Sequence, residues 1–155
     1  FILGASGFGS RIMEEVRVKR GLAYSAYMRF NMNKTHSYAS GHLQTKVESQ
    51  DEAIKVVKEI VNDFINNGIT KSELDAAKKF ILGSEPLRNE LLSQRLSSAF
   101  SEYYRDLPLG YRNEELKKIE ALMLEDINNF IKSHKEIANL SFSVITAKSD
   151  DNSTK

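Results

Sequence analysis

Residues 11–31 read RIMEEVRVKRGLAYSAYMRFN, and their apolar spacing changes period partway along. Ile12, Met13 and Val16 fall on one helical stripe, with Glu14, Glu15, Arg17 and Lys19 on its polar side. Gly21 stands where a helix closes through the left-handed region. Beyond it Leu22, Tyr24, Ala26, Met28 and Phe30 alternate with Ala23, Ser25, Tyr27, Arg29 and Asn31. That two-residue period predicts a half-buried strand over 22–31. A helix passing through one glycine into a strand is the start of an α+β layer.

Working outward, Gly4-Ala5-Ser6-Gly7-Phe8-Gly9-Ser10 predicts a tight turn with close backbone packing, and Ser10 an N-cap. The glycine spacing is not that of a nucleotide loop, and the Lys-Ser/Thr ending is missing. Asn33-Lys34-Thr35 is a turn, and 37–47 is the second strand of a hairpin. Ser49-Gln50-Asp51-Glu52 and Thr70-Lys71-Ser72-Glu73 both have capping-box form. The first opens a helix with Ala53, Val56, Val57, Ile60, Val61, Phe64 and Ile65 in a stripe, ending at Asn67-Gly68. The second opens one with Leu74, Ala77 and Ile81 that Gly83 and Pro86 should kink or break. A helical stretch over 87–105, with Leu91, Leu92, Leu96 and Phe100, and short helices over 114–122 and 125–134 come next. The period predicts a last strand over 140–147. Residues 1–148 read as one domain, a piece of a longer chain, and 149–155 as a disordered tail. The expected fold is α+β, an antiparallel sheet with helices packed on one face.

Composition narrows the function. Lys and Arg number 22 against 21 Asp and Glu, a net charge of +1, so nothing global attracts nucleic acid or an anionic membrane. The absence of Cys removes disulfides and thiolate metal sites, which fits a cytoplasmic chain and leaves a periplasmic one open. No apolar run reaches the length of a bilayer span. His36, His42 and His134 stand far from i, i+3 or i, i+4 spacing to one another, so no zinc site is expected. Arg17-Val18-Lys19-Arg20 reads as a solvated helix end, its cations favoured by the helix dipole.

The run from Gly7 through Tyr27, centred on Arg20-Gly21-Leu22-Ala23-Tyr24, resembles the signature of the pitrilysin/insulinase family of zinc peptidases. Asp51-Glu52-Ala53, residues 67–84 and Leu107-Pro108-Leu109 agree with it, so the resemblance extends over essentially the whole chain. It implies half of a clam shell built from two homologous α/β domains. One half bears H-x-x-E-H and zinc; that motif is absent here, so the resemblance implies the C-terminal, non-catalytic half. This half would be inactive alone, with zinc in the partner domain, which lies on the same polypeptide or another subunit. By resemblance Arg17 and Tyr24 are the substrate-binding pair, donating hydrogen bonds to peptide main chain or to a tetrahedral intermediate. The implied partners are a peptide substrate and the zinc-bearing domain, with a homo-oligomer compatible and nucleic acid and membrane not expected. The alternative is a non-catalytic structural subunit of the same family. The chain departs from the family pattern in two places. Gly4-Ala5-Ser6-Gly7 replaces a run of glycines, and Met123 stands where the last helix usually has a Thr cap. Tyr24 shares strand parity with Met28 and Phe30, so it must emerge where the strand begins or twists.

Overall fold

The computed structural model describes residues 1–7 and 9–146. A π-helix, Met13–Lys19, leads into β1, Ala23–Met32, and β2, Ser37–Thr45; five α-helices follow. These are α1, Gln50–Asn67; α2, Lys71–Arg88; α3, Leu92–Tyr104; α4, Tyr111–Ala121; and α5, Leu124–Ser133, with 3₁₀ turns at Val47–Ser49 and Lys135–Ala138. The two strands pair antiparallel, from Met32 opposite Ser37 to Ala23 opposite Thr45. The α+β class and the antiparallel hairpin are as the two sequence periods predict.

The stripe of α1 supplies the core. Val56, Ile60, Val61 and Ile65 are buried against Ala26 and Met28 of β1, against Ile12 and Val16, and against Leu3. A smaller cluster joins Ile69, Leu74 and Ile131 to Ile2, Phe64 and Leu124, tying α2 and α5 to the chain start. Gly4 lies flat on β1: the Met28 N–H donates to its carbonyl at 2.8 Å. A Cβ on Gly4 would come within 2.7 Å of Met28 backbone atoms, so only glycine fits this approach.

Several local expectations are corrected. The Thr70 capping box forms, with the Thr70 hydroxyl accepting from the Glu73 N–H and the Glu73 carboxylate accepting from the Thr70 N–H. The Ser49 box does not. Val47–Ser49 is already wound into a 3₁₀ turn, which takes Ser49 out of the extended conformation an N-cap side chain needs. Ser10 likewise caps nothing with its hydroxyl, although its carbonyl accepts from the Glu14 N–H at 2.8 Å. Gly83 and Pro86 do not break α2, which runs on to Arg88 and stops before Asn89. Pro86 falls in the last turn, where a missing N–H removes one bond from an already fraying end.

The strand expected over 140–147 is not formed over 140–146. A strand is defined by a hydrogen-bonded neighbour, and the two-stranded sheet presents none to this segment among the described residues. Ala147 and the expected tail at 149–155 lie outside the described residues. The expected stripe of Leu92, Leu96 and Phe100 on α3 faces solvent, and neither α3 nor α4 has a buried residue. Arg112 of α4 ties to Glu85 of α2, Nη2 to Oε2 at 2.9 Å, and their hydrogen bond holds the Glu85 carboxyl below its usual range.

Candidate functional site

Arg17 sits in the π-helix, whose wider turn closes one residue later than an α-helix would. The Leu22 N–H reaches back six residues to the Val16 carbonyl at 2.9 Å, and Gly21 makes the reversal at φ 62°. A π turn costs hydrogen-bond geometry and is found at functional sites. Here it sets the Arg17 guanidinium over the ring of Tyr24, 5.5 Å from the centroid, with Met13 Sδ accepting from Nη1 at 3.9 Å. The two residues are thus brought together.

A β-bulge solves the parity problem at Tyr24. Ala23 lies opposite Thr45 and Ser25 opposite Gln44, so Tyr24 is an extra residue without a cross-strand partner. Before the bulge Ala23 points inward; after it Ala26 and Met28 do, while Tyr24 is 77 % exposed. The bulge moves Tyr24 to the outward face that Ser25, Tyr27 and Arg29 share. The Thr45 hydroxyl donates to the Leu22 carbonyl and fastens the strand entry beside it.

The electrostatics single out Arg17 within its basic run. Lys19 and Arg20 both close on Glu15, and their hydrogen bonds hold its carboxyl below the usual carboxylate range. Among the described residues Arg17 has no carboxylate partner. A guanidinium over a phenol ring, without a carboxylate to occupy it, keeps N–H donors available, and the phenol adds an O–H. Such a pair can donate to a carbonyl or to the charge that develops on one.

Tyr27 and Arg29, which sequence reasoning did not single out, and His42, weighed there only as a metal ligand, continue this face. The Arg29 guanidinium lies 5.7 Å from the Tyr27 ring centroid, and the Tyr27 and His42 rings stand 5.7 Å apart across the hairpin. The shared strand parity of Tyr27 and Arg29 was the available signal, whereas His42 joins them only through the hairpin register. His36 and His134 are elsewhere, beside Tyr38 and Glu136. Among the described residues no group of three or more His, Cys, Asp or Glu side chains could hold a metal. No helix among them is long and apolar enough to cross a membrane.

Known proteins agree with the fold and the signature. The model of the peptidase M16 inactive domain matches residues 2–81, which contain the whole run from Gly7 through Tyr27. The non-peptidase homolog YmxG of Helicobacter pylori is 50 % identical over 97 % of this chain and 35 % of its own length. An uncharacterized zinc protease of Mycobacterium tuberculosis is 30 % identical over 79 % of this chain and 28 % of its length. The chain thus spans about a third of the curated relatives it matches. Among solved structures, the peptidase M16 inactive domain from Pseudomonas fluorescens superposes with a TM-score of 0.79 at 30 % identity, over 88 % of this chain and 32 % of that one. The periplasmic protease PqqL from Escherichia coli shares the fold at 16 % identity and a TM-score of 0.63, over 78 % of this chain and 14 % of that one. By signature, fold and match, this chain belongs to the peptidase M16 inactive-domain family.

Proposed function

We propose that this chain is the zinc-less, peptide-holding domain of an M16 protein, working opposite a zinc-bearing domain that lies outside the chain. The observation that carries the reading is the Arg17–Tyr24 pair, wound out by a π turn and turned out by a bulge. Two local distortions converge on one exposed donor pair, and distortions of both kinds are concentrated next to functional sites. The pair would bind extended peptide main chain. Where the partner domain cleaves, it would also stabilise the tetrahedral intermediate.

A second reading is favoured by the description of the H. pylori relative as a non-peptidase homolog. In that reading the chain is a structural or interaction domain, and the pair has no peptide to hold. Fluorescence anisotropy with a pool of fluorescein-labelled decapeptides of randomised sequence separates the two. Arg17→Ala and Tyr24→Phe should each weaken binding about five- to tenfold, the loss of one hydrogen bond to an exposed ligand. Unfolding midpoints should stay unchanged. Arg20→Ala, whose guanidinium belongs to Glu15, should be milder. In a whole protein that cleaves peptide, the loss of an oxyanion-type donor should lower kcat by on the order of 10²–10³. Absence of peptide binding, or equal effects at Arg17 and Arg20, would leave only the structural reading.

A further inference from the structure

We propose that the outward face of the hairpin around Arg29, Tyr27 and His42 is a subsite for an acidic side chain of the bound peptide, about three residues along from the Arg17–Tyr24 pair. This rests on the peptide-holding reading above and adds a charge preference to it.

Charge is the first observation. The net charge of the chain is +1, yet residues 16–47 contain no Asp or Glu and six cations: Arg17, Lys19, Arg20, Arg29, Lys34 and Lys46. The structure sorts five of these six. Lys19 and Arg20 are taken by Glu15, and Lys34 by Asp106. Arg17 and Arg29 instead lie over tyrosine rings, 5.5 and 5.7 Å from the centroids, with no carboxylate partner among the described residues. Both phenol rings lie on the outward side of β1, one met by Arg17 from the π-helix and the other by Arg29 from β1 itself. A guanidinium held by a ring and not by a carboxylate keeps N–H donors that can grip a carboxylate.

Spacing is the second. Tyr24 and Tyr27 are three residues apart on β1, about 10 Å at strand rise. A peptide lying extended along this face and touching Arg17 with its main chain would bring a side chain about three residues away to Arg29. Room is the third. A groove of about 680 Å³ opens beside Tyr27, His42 and Gln44 and runs to residues 140–146. Among the described residues its lining includes Lys46 and no Asp or Glu. Arg29 itself is not part of that lining, so the groove borders the subsite at Tyr27 and His42 and does not enclose it.

The test uses acetylated, amidated decapeptides of alternating Ser and Thr bearing one Glu, walked through the ten positions, and their Gln counterparts. Binding is read from the side-chain ¹⁵Nε shifts of Arg17 and Arg29. At the best position the Glu peptide should bind about two- to fivefold tighter than its Gln twin, the value of an exposed ion pair. The preference should fall as NaCl is raised from 50 to 500 mM. It should vanish in Arg29→Gln, which is exposed and leaves the core untouched, and persist in Lys79→Gln on α2. Equal binding of Glu and Gln peptides at every position overturns the proposal, as does a preference that survives Arg29→Gln. If Glu peptides move Arg29 but no peptide moves Arg17, the acidic subsite stands and the Arg17–Tyr24 reading falls.

Discussion

Arg11 joins the first helical turn to the start of α2, and Glu73→Gln should expose how much that joint stabilises the fold. Arg11 Nε donates to Glu73 Oε1 at 2.6 Å and Nη2 to Oε2 at 2.9 Å; Nη2 also reaches the Gly68 carbonyl at 2.7 Å, and Nη1 reaches Asp63 at 3.0 Å. The Phe64 ring lies 5.5 Å beneath. Arg11's hydrogen bonds, with further ones from Thr70, outweigh burial and draw the Glu73 carboxyl from 4.5 down to about 2. Taken whole, a shift of that size corresponds to roughly 3 kcal/mol. The Glu73 side chain is 27 % exposed, so solvent screening reduces the contribution to about 1–2 kcal/mol. The sign follows from a depressed pKa: the stabilisation is fully present above pH 4.5 and is lost as pH falls towards 2. Gln keeps the shape and a carbonyl that still accepts from Thr70, but loses the charge. Urea unfolding followed by far-UV circular dichroism should show Glu73→Gln about 1–2 kcal/mol less stable at pH 7, with the gap closing between pH 4.5 and 2. A double-mutant cycle with Arg11→Met should return most of that loss as coupling. A gap that does not change with pH, or no gap at pH 7, would refute the reasoning.

Two further outcomes can be read from unfolding alone. Gly4→Ala should lose at least about 2 kcal/mol, because the added methyl meets the Met28 backbone, which cannot move without breaking β1; wild-type stability would refute the close approach. Ser10→Ala should be neutral or stabilising by up to about 1 kcal/mol, since the Ser10 hydroxyl is fully buried and has no partner among the described residues. A loss above about 1 kcal/mol would mean that the hydroxyl is bonded after all.

Local chemistry made much of this protein legible in its residues. The alternation from Leu22 to Asn31, the stripe from Ala53 to Ile65 and the Thr70–Glu73 box each depend on neighbours within one turn or one strand, and each formed. The signature around Gly21 points to the family and, by resemblance, pairs Arg17 with Tyr24. What spacing could not supply was winding and register. Whether residues 13–19 take an α or a π turn depends on how the helix must meet β1 through Gly21. The bulge that turns Tyr24 outward exists only because Ser25 and Gln44 are held opposite each other across the hairpin. A period-two pattern carries no mark of that slip, so parity alone placed Tyr24 with Met28. The Ser49 box and the strand over 140–146 failed for the same reason, since a cap needs the backbone conformation its flanking turn allows and a strand needs a neighbour. Arg11 and Glu73, 62 residues apart, could be seen as partners only once the chain was folded. Short-range periodicity and capping are thus encoded in the order of residues, whereas contacts across the hairpin and between distant helices, which decide where the donors point, arise from tertiary packing.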